Sequence, residues 1–229
     1  MTMIAANLQH VETRIAQACA QSGRARDAVR LLAVSKTFSA DAVAQAHACG
    51  QTAFGENYIQ EAVDKIQALR HLPLEWHGIG PIQSNKTRLV AEHFDWVHTI
   101  DRFKIAQRLS EQRPSHLAPL QVCIQVNVDG GASKSGVPAP EALALAQSVA
   151  ALPGLCVRGI MCIPDPAPDF IAACAVFTGA RELFDTIRLA GLPLDTLSMG
   201  MSGDLEAAIA SGSTMVRIGS AIFGERLLR

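Results

Sequence analysis

The chain has 229 residues, 49% of them hydrophobic and 18% charged, which is enough apolar surface to enclose a large core and too much for a disordered segment. Twenty Lys and Arg stand against 21 Asp and Glu, a formal net charge of -1, so no field of one sign directs the protein to nucleic acid or to an anionic membrane surface. The six cysteines, at 19, 49, 123, 156, 162 and 174, form no CxxC pair and no secretory leader precedes them, which predicts reduced core thiols in a cytoplasmic protein, and no apolar run reaches the ~18 residues of a membrane span.

Residues 2–22 carry the 3.6-residue periodicity of an amphipathic helix. A strand follows over 30–36, where LLAV is apolar on both faces, as in a parallel strand covered by helices, before the chain turns polar at Ser35, Lys36 and Thr37. The segment SADAVAQAHACG (39–50) reads as a helix with Ser39 as its N-cap and Gly50 closing it. Further strands are predicted at 52–56, 75–80, 96–100, 120–128, 156–163, 196–200 and 214–218. Between the fifth and sixth, PEALALAQSVAALPG (140–154) has Pro140 in a first helical turn and Gly154 past the end, and MCIPDPAPDF (161–170) is a proline-rich loop. Eight strands alternating with helices predict a (β/α)8 TIM-type barrel, a single domain over 1–229 with one extra N-terminal helix. An open doubly wound sheet is the alternative, and it lacks the GxGxxG that would follow its first strand.

In such a barrel the C-terminal strand ends converge on one mouth. They would bring together Lys36, Glu56, Asn57, His77, Asn127, Met161, Ser202 and Arg217. Taken singly, most have a structural explanation: Asn57 can cap a helix, His77 can be a satisfied strand-end histidine, and Tyr58 can pack as a helix-start aromatic. Lys86 and Arg88, at the start of a helix, read as solvated charges. After the seventh and eighth strands come GMSGD and RIGSAIFG, two small-residue turns whose backbone N–H groups can approach an anion at Gly203 and Gly219, with hydroxyls from Ser202 and Ser220. No Walker pattern and no acidic cluster with metal spacing accompanies them. A lysine beside a phosphate cradle is arranged to form a Schiff base with a phosphorylated aldehyde, of which pyridoxal 5'-phosphate is the common one. Desolvation and a nearby Arg217 would lower the pKa of Lys36 and favour its free amine.

At these residues the chain resembles the pyridoxal phosphate homeostasis proteins, also called the proline synthetase co-transcribed homologues. AVSKT (33–37), FGENYIQEA (54–62), WHGIGPIQSNK (76–86), SKSG (133–136), LSMGMSGD (197–204) and VRIGSAIFG (216–224) carry the resemblance. It implies a barrel like the N-terminal domain of alanine racemase, pyridoxal 5'-phosphate on Lys36, phosphate contacts from Ser202, Gly219 and Ser220, and Arg217 near the ring nitrogen. Asn57, His77 and Met161 complete the expected cofactor-binding set, with no metal and no catalytic residue. The implied role is to carry and buffer the cofactor, with apo-enzymes as possible recipients and a monomer as the expected state. Two enzyme readings compete. A racemase would need a second base on the opposite cofactor face, and the lone tyrosine, Tyr58, is poorly placed for it. A phosphosugar-type barrel enzyme would leave Lys36 uncommitted and use a carboxylate such as Glu56.

Overall fold

The structure, a computed structural model, describes residues 2–131 and 135–224. The first two residues of the SKSG motif, Ser133 and Lys134, and the C-terminal residues 225–229 lie outside the described residues.

The first helix, α1 (Met3–Gln21), buries Ile4, Leu8, Val11, Ile15, Ala18 and Cys19, a single stripe at three- and four-residue spacing. Thr2 caps it by accepting the Ala5 N–H at 3.3 Å. The eight barrel strands are β1 (Arg30–Val34), β2 (Ala53–Glu56), β3 (Glu75–Gly78), β4 (Trp96–Ile100), β5 (Leu120–Asn127), β6 (Leu155–Met161), β7 (Thr196–Ser198) and β8 (Met215–Ile218). Every pairing is parallel; β1 lies between β2 and β8, and β4 pairs with β5 to close the ring. A two-residue strand, Val137–Pro138, adds to the outside of β5. It was not foreseen, because two residues leave no periodicity to read.

Helices α2 (Ala40–Ala48), α3 (Ile59–Ala68), α4 (Thr87–His93), α5 (Phe103–Gln112), α6 (Ala142–Ala150), α7 (Phe170–Leu189), α8 (Leu205–Ala210) and α9 (Ser220–Phe223) fill the connections. Ser39 caps α2 by accepting from Ala42, as its sequence indicated, and Asp169 caps α7 by accepting from Ala172 at 2.8 Å. Pro140 falls in a short 3-10 turn that precedes α6.

The main core lies between the strands and the helices, where residues such as Leu31, Ala33, Phe54, Val97, Ile124 and Val216 meet the buried faces of the helices. Two smaller apolar groups fill the barrel itself: Leu32 with Ala53 and Met215, and Trp96 with Cys123 and Met161. Alternate residues of each strand therefore point inward, the two-residue period of extended chain. All six cysteines are free; Cys19, Cys123 and Cys162 are core residues, but Cys156 and Cys174 are half-buried and Cys49 is exposed, so the expected set of core thiols holds only for the first three. No helix among the described residues is long and apolar enough to cross a membrane.

Candidate functional site

At the C-terminal mouth of the barrel lies a cavity of about 290 Å³, walled by Val34, Phe38, Ile79, Ile163 and Met201 and furnished with polar groups from Lys36, Asn57, Ser202, Arg217 and Ser220. Gly203 and Gly219 also line it. Inward-pointing layers explain this membership. On β1 the inward series runs Leu32, Val34, Lys36, and on β2 it runs Ala53, Gly55, Asn57, so Lys36 and Asn57 form the top layer.

The same period takes two expected residues out of the cavity lining. His77 and Met161 do not line the cavity: each is fully buried one layer deeper, and the residue two positions on, Ile79 or Ile163, provides the wall instead. His77 stands level with Gly55 and Trp96, and Met161 level with Gln125 and Ser198. Arg217 occupies this deep layer too, opposite Leu32, yet it reaches the cavity. The position above it in the same inward series is Gly219, which has no side chain to cover it.

Arg217 is 4% exposed and donates at 2.9 Å to the Ser198 hydroxyl and at 2.9 Å to the Cys162 carbonyl. Both acceptors are neutral, and among the described residues no carboxylate pairs with it. Burial lowers its pKa from the ordinary arginine value, but a guanidinium keeps its proton, so a positive charge faces the cavity. Around it, the Gly200–Asp204 turn is tied by the Met201 N–H donating to Asp204 Oδ1 at 2.6 Å. Arg14 of α1 adds a donor to the Ser202 carbonyl at 3.1 Å while pairing with Glu206, so the N-terminal helix braces the turn. Nothing in the sequence marked Arg14 for this role. The side-chain oxygen of Asn57, buried at the cavity, has no hydrogen-bond partner.

Below the cavity a hydrogen-bonded chain runs through the barrel. Ser198 Oγ lies 2.9 Å from His98 Nδ1, His98 Nε2 lies 2.9 Å from His77 Nδ1, and His77 Nε2 lies 2.6 Å from Glu75, which also pairs with Arg30 at 2.7 Å. Burial lowers the pKa of both histidines, that of His98 well below the ordinary value because His77, Arg217 and Arg30 add to the effect. Burial alone would raise Glu75, but its contacts with His77 and Arg30 outweigh it and bring the pKa down to about 2.

The other candidates are engaged elsewhere. Glu56 is fully buried against Lys65 at 2.9 Å and Ser35 at 2.6 Å, and burial raises its pKa; it does not line the cavity and cannot serve there as a base. Asn127 holds its own loop, donating to the Gly131 carbonyl at 2.9 Å and accepting from Gly130 at 3.0 Å. Tyr58 does not pack as expected of a helix-start aromatic but is 54% exposed, and Arg88 is a solvated helix charge facing Glu92. The described residues contain no metal-binding group of His, Cys, Asp and Glu.

With the geometry in place, the comparisons agree with it. Residues 6–227 match the model of the alanine racemase N-terminal domain. The chain is 59% identical over 227 residues to the pyridoxal phosphate homeostasis protein of Pseudomonas aeruginosa, covering 99% of this chain and 97% of that one. It is 57% identical over 230 residues to the protein of the same name from Vibrio cholerae, with 99% and 98% covered. Among solved structures, PipY of Synechococcus elongatus with PLP bound superposes with a TM-score of 0.81 at 36% identity, covering 92% of this chain and 100% of that one. A closed eight-stranded barrel, an amine and a buried guanidinium in one mouth, and identity along nearly the full length of these relatives lead to one assignment: the chain belongs to the pyridoxal phosphate homeostasis protein family.

Proposed function

We propose that this protein binds pyridoxal 5'-phosphate in the mouth cavity, anchors it through Lys36, and carries and buffers it in the cytoplasm for apo-enzymes that need it. Residues 1–229 act as one unit, as a monomer. The observation that carries the reading is a single cavity lined by both Lys36 and Arg217, the latter a buried cation that no carboxylate pairs with among the described residues, with a Gly/Ser turn on either side of β8.

The residues fit the group. Val34, Phe38, Ile79, Ile163 and Met201 offer apolar walls to a planar ring, and the unpartnered Asn57 oxygen is an acceptor awaiting a donor. Ser202, Ser220 and the backbone at Gly203 and Gly219 suit a phosphate. When bound, the cofactor supplies an aldehyde carbon open to attack by an amine. Lys36 provides that amine. Arg217, which only donates, would meet the ring nitrogen as an acceptor and keep a proton off it, so the ring would be a weak electron sink. Among the described residues that line the cavity there is no Asp, Glu, His, Tyr or Cys to act as a second base on the opposite face of the ring, and this supports a carrier over a racemase. Ile163 and Met201, both in the wall, are 37% and 40% exposed, which keeps the cavity in contact with solvent and suits handover.

The test is to load the purified protein with pyridoxal 5'-phosphate, reduce it with borohydride and map the modified peptide by mass spectrometry. The label is expected on Lys36. A label on another lysine, with Lys36 unmodified, would overturn the assignment.

A further inference from the structure

We propose that Lys65 and Glu61, on α3, are positioning residues for Lys36, holding the backbone immediately before and after it. The proposal rests on Lys36 being the cofactor's attachment point. Lys65 Nζ donates to the Ser35 carbonyl at 2.8 Å and pairs with Glu61 Oε1 at 2.6 Å. Glu61 Oε1 in turn accepts from the Thr37 N–H at 2.7 Å. One ion pair thus grips residues 35 and 37, the two neighbours of Lys36.

The grip is needed because Thr37 has φ +68, in the left-handed region that a β-branched residue avoids. Among the described residues it is the only non-glycine with positive φ. Relaxation at Thr37 would swing the Lys36 side chain away from the cavity. Glu61 is also one helical turn from Lys65, so the pair is preformed on α3 before it meets β1.

Lys65 itself is a second amine close behind the mouth, and its environment explains why it would not compete for an aldehyde. It is 6% exposed, and its three ammonium protons face three oxygens: the Ser35 carbonyl, Glu56 Oε1 and Glu61 Oε1. Attack on a carbonyl carbon requires an accessible lone pair on nitrogen, and this nitrogen is buried with its hydrogens directed at three oxygens of its own fold. The two acids of FGENYIQEA, Glu56 and Glu61, therefore acquire a shared purpose: they hold Lys65 in place, and with it the backbone around Lys36.

The experiment compares wild type, Glu61→Ala, Glu61→Gln, Lys65→Met and Lys36→Ala. In the ligand-free proteins, trace acetic anhydride labelling followed over pH reads the reactivity of the Lys36 amine. In a second measurement, the rate of borohydride-fixable loading with pyridoxal 5'-phosphate is followed at Lys36. Glu61→Ala, which alters a side chain 34% exposed and so preserves the fold, is expected to slow loading at Lys36 by about tenfold or more and to change its acetylation profile. Glu61→Gln keeps an acceptor for the Thr37 N–H and should recover most of the rate, a rescue that a merely structural role would not produce. Lys65→Met should act in the same direction as Glu61→Ala; if it does not fold, the Glu61 pair of variants decides. Folded Glu61→Ala with wild-type loading and acetylation would overturn the proposal. Should Lys36→Ala load undiminished at another lysine, the cofactor reading would fail instead, while the acetylation profiles would still judge the clamp.

Discussion

Arg217 is the residue whose surroundings constrain a ligand most. A guanidinium at 4% exposure whose only acceptors among the described residues are a hydroxyl and a carbonyl has unmet capacity for an acceptor or an anion. Ser202 and Ser220 line the same cavity with hydroxyls whose role in the proposed reading is separable from that of Lys36. Replacing both, Ser202→Ala with Ser220→Ala, is expected to weaken the hold on pyridoxal 5'-phosphate while Lys36 remains competent to be labelled. Each hydrogen bond lost to a charged phosphate should cost about 1.5–3 kcal/mol. Equilibrium dialysis of the double variant measures this, and an affinity equal to that of wild type would remove these turns from the binding site.

Among elements, the strand is what made the site legible and also what limited it. Wholly apolar runs such as LLAV, alternating with helical segments, point to parallel strands, and eight of them favour closure over the open sheet. Lys36, Asn57, Ser202, Gly219 and Ser220 were readable because a polar or small residue just past an apolar strand must face the mouth. The depth at which a strand side chain sits was not readable, because register is set by the neighbouring strands. His77 and Met161 were therefore placed one layer too high, and the walls Ile79 and Ile163 went unnoticed as ordinary apolar residues. Lys65 was invisible for another reason: on an amphipathic helix a lysine reads as solvated, and only the tertiary contacts with Glu56 and Ser35 bury it. The connection after β3 also depends on contacts no local pattern reveals. A Cβ at Gly80 would fall 2.3 Å from the Asn57 carbonyl oxygen and 2.7 Å from its Cα, both backbone atoms. Gly80→Ala must then push Asn57 out of the top layer. The variant is expected to lose about 1–3 kcal/mol of stability from overpacking and to bind pyridoxal 5'-phosphate more weakly. A variant with unchanged melting temperature and affinity would mean the two segments are not in the contact seen here.

Across the whole molecule, the chain from Arg217 to Glu75 links the mouth of the barrel to its opposite end, and its two ends dictate its direction. Arg217 can only donate and ionised Glu75 can only accept. The Ser198 hydroxyl must therefore donate a hydrogen bond to His98 Nδ1, His98 must donate from Nε2 to His77 Nδ1, and His77 must donate from Nε2 to Glu75, each histidine neutral with its proton on Nε2. Protonating His98 would place a donor against a hydroxyl already accepting from Arg217 and a second cation beside the first. Burial, His77, Arg217 and Arg30 all oppose this, which is why its pKa lies well below the ordinary value. The consequence for stability has a definite sign. As pH falls through about 6.5 the unfolded chain takes up protons on these two histidines while the folded chain does not, so folding loses up to ~1.4 kcal/mol per pH unit for each. Glu75, held at about 2 when folded, works in the same direction once the pH drops below its unfolded value of 4.5. Urea midpoints measured from pH 7.5 down to pH 5 should therefore fall steadily in wild type. His98→Gln, neutral at every pH, should start less stable at pH 7.5, having lost well-matched hydrogen bonds, and should decline more gently, because one of the two titrating groups is gone. Parallel slopes in the two proteins would show that His98 is not held neutral in the fold, and the one-way chain beneath Arg217 would have to be abandoned.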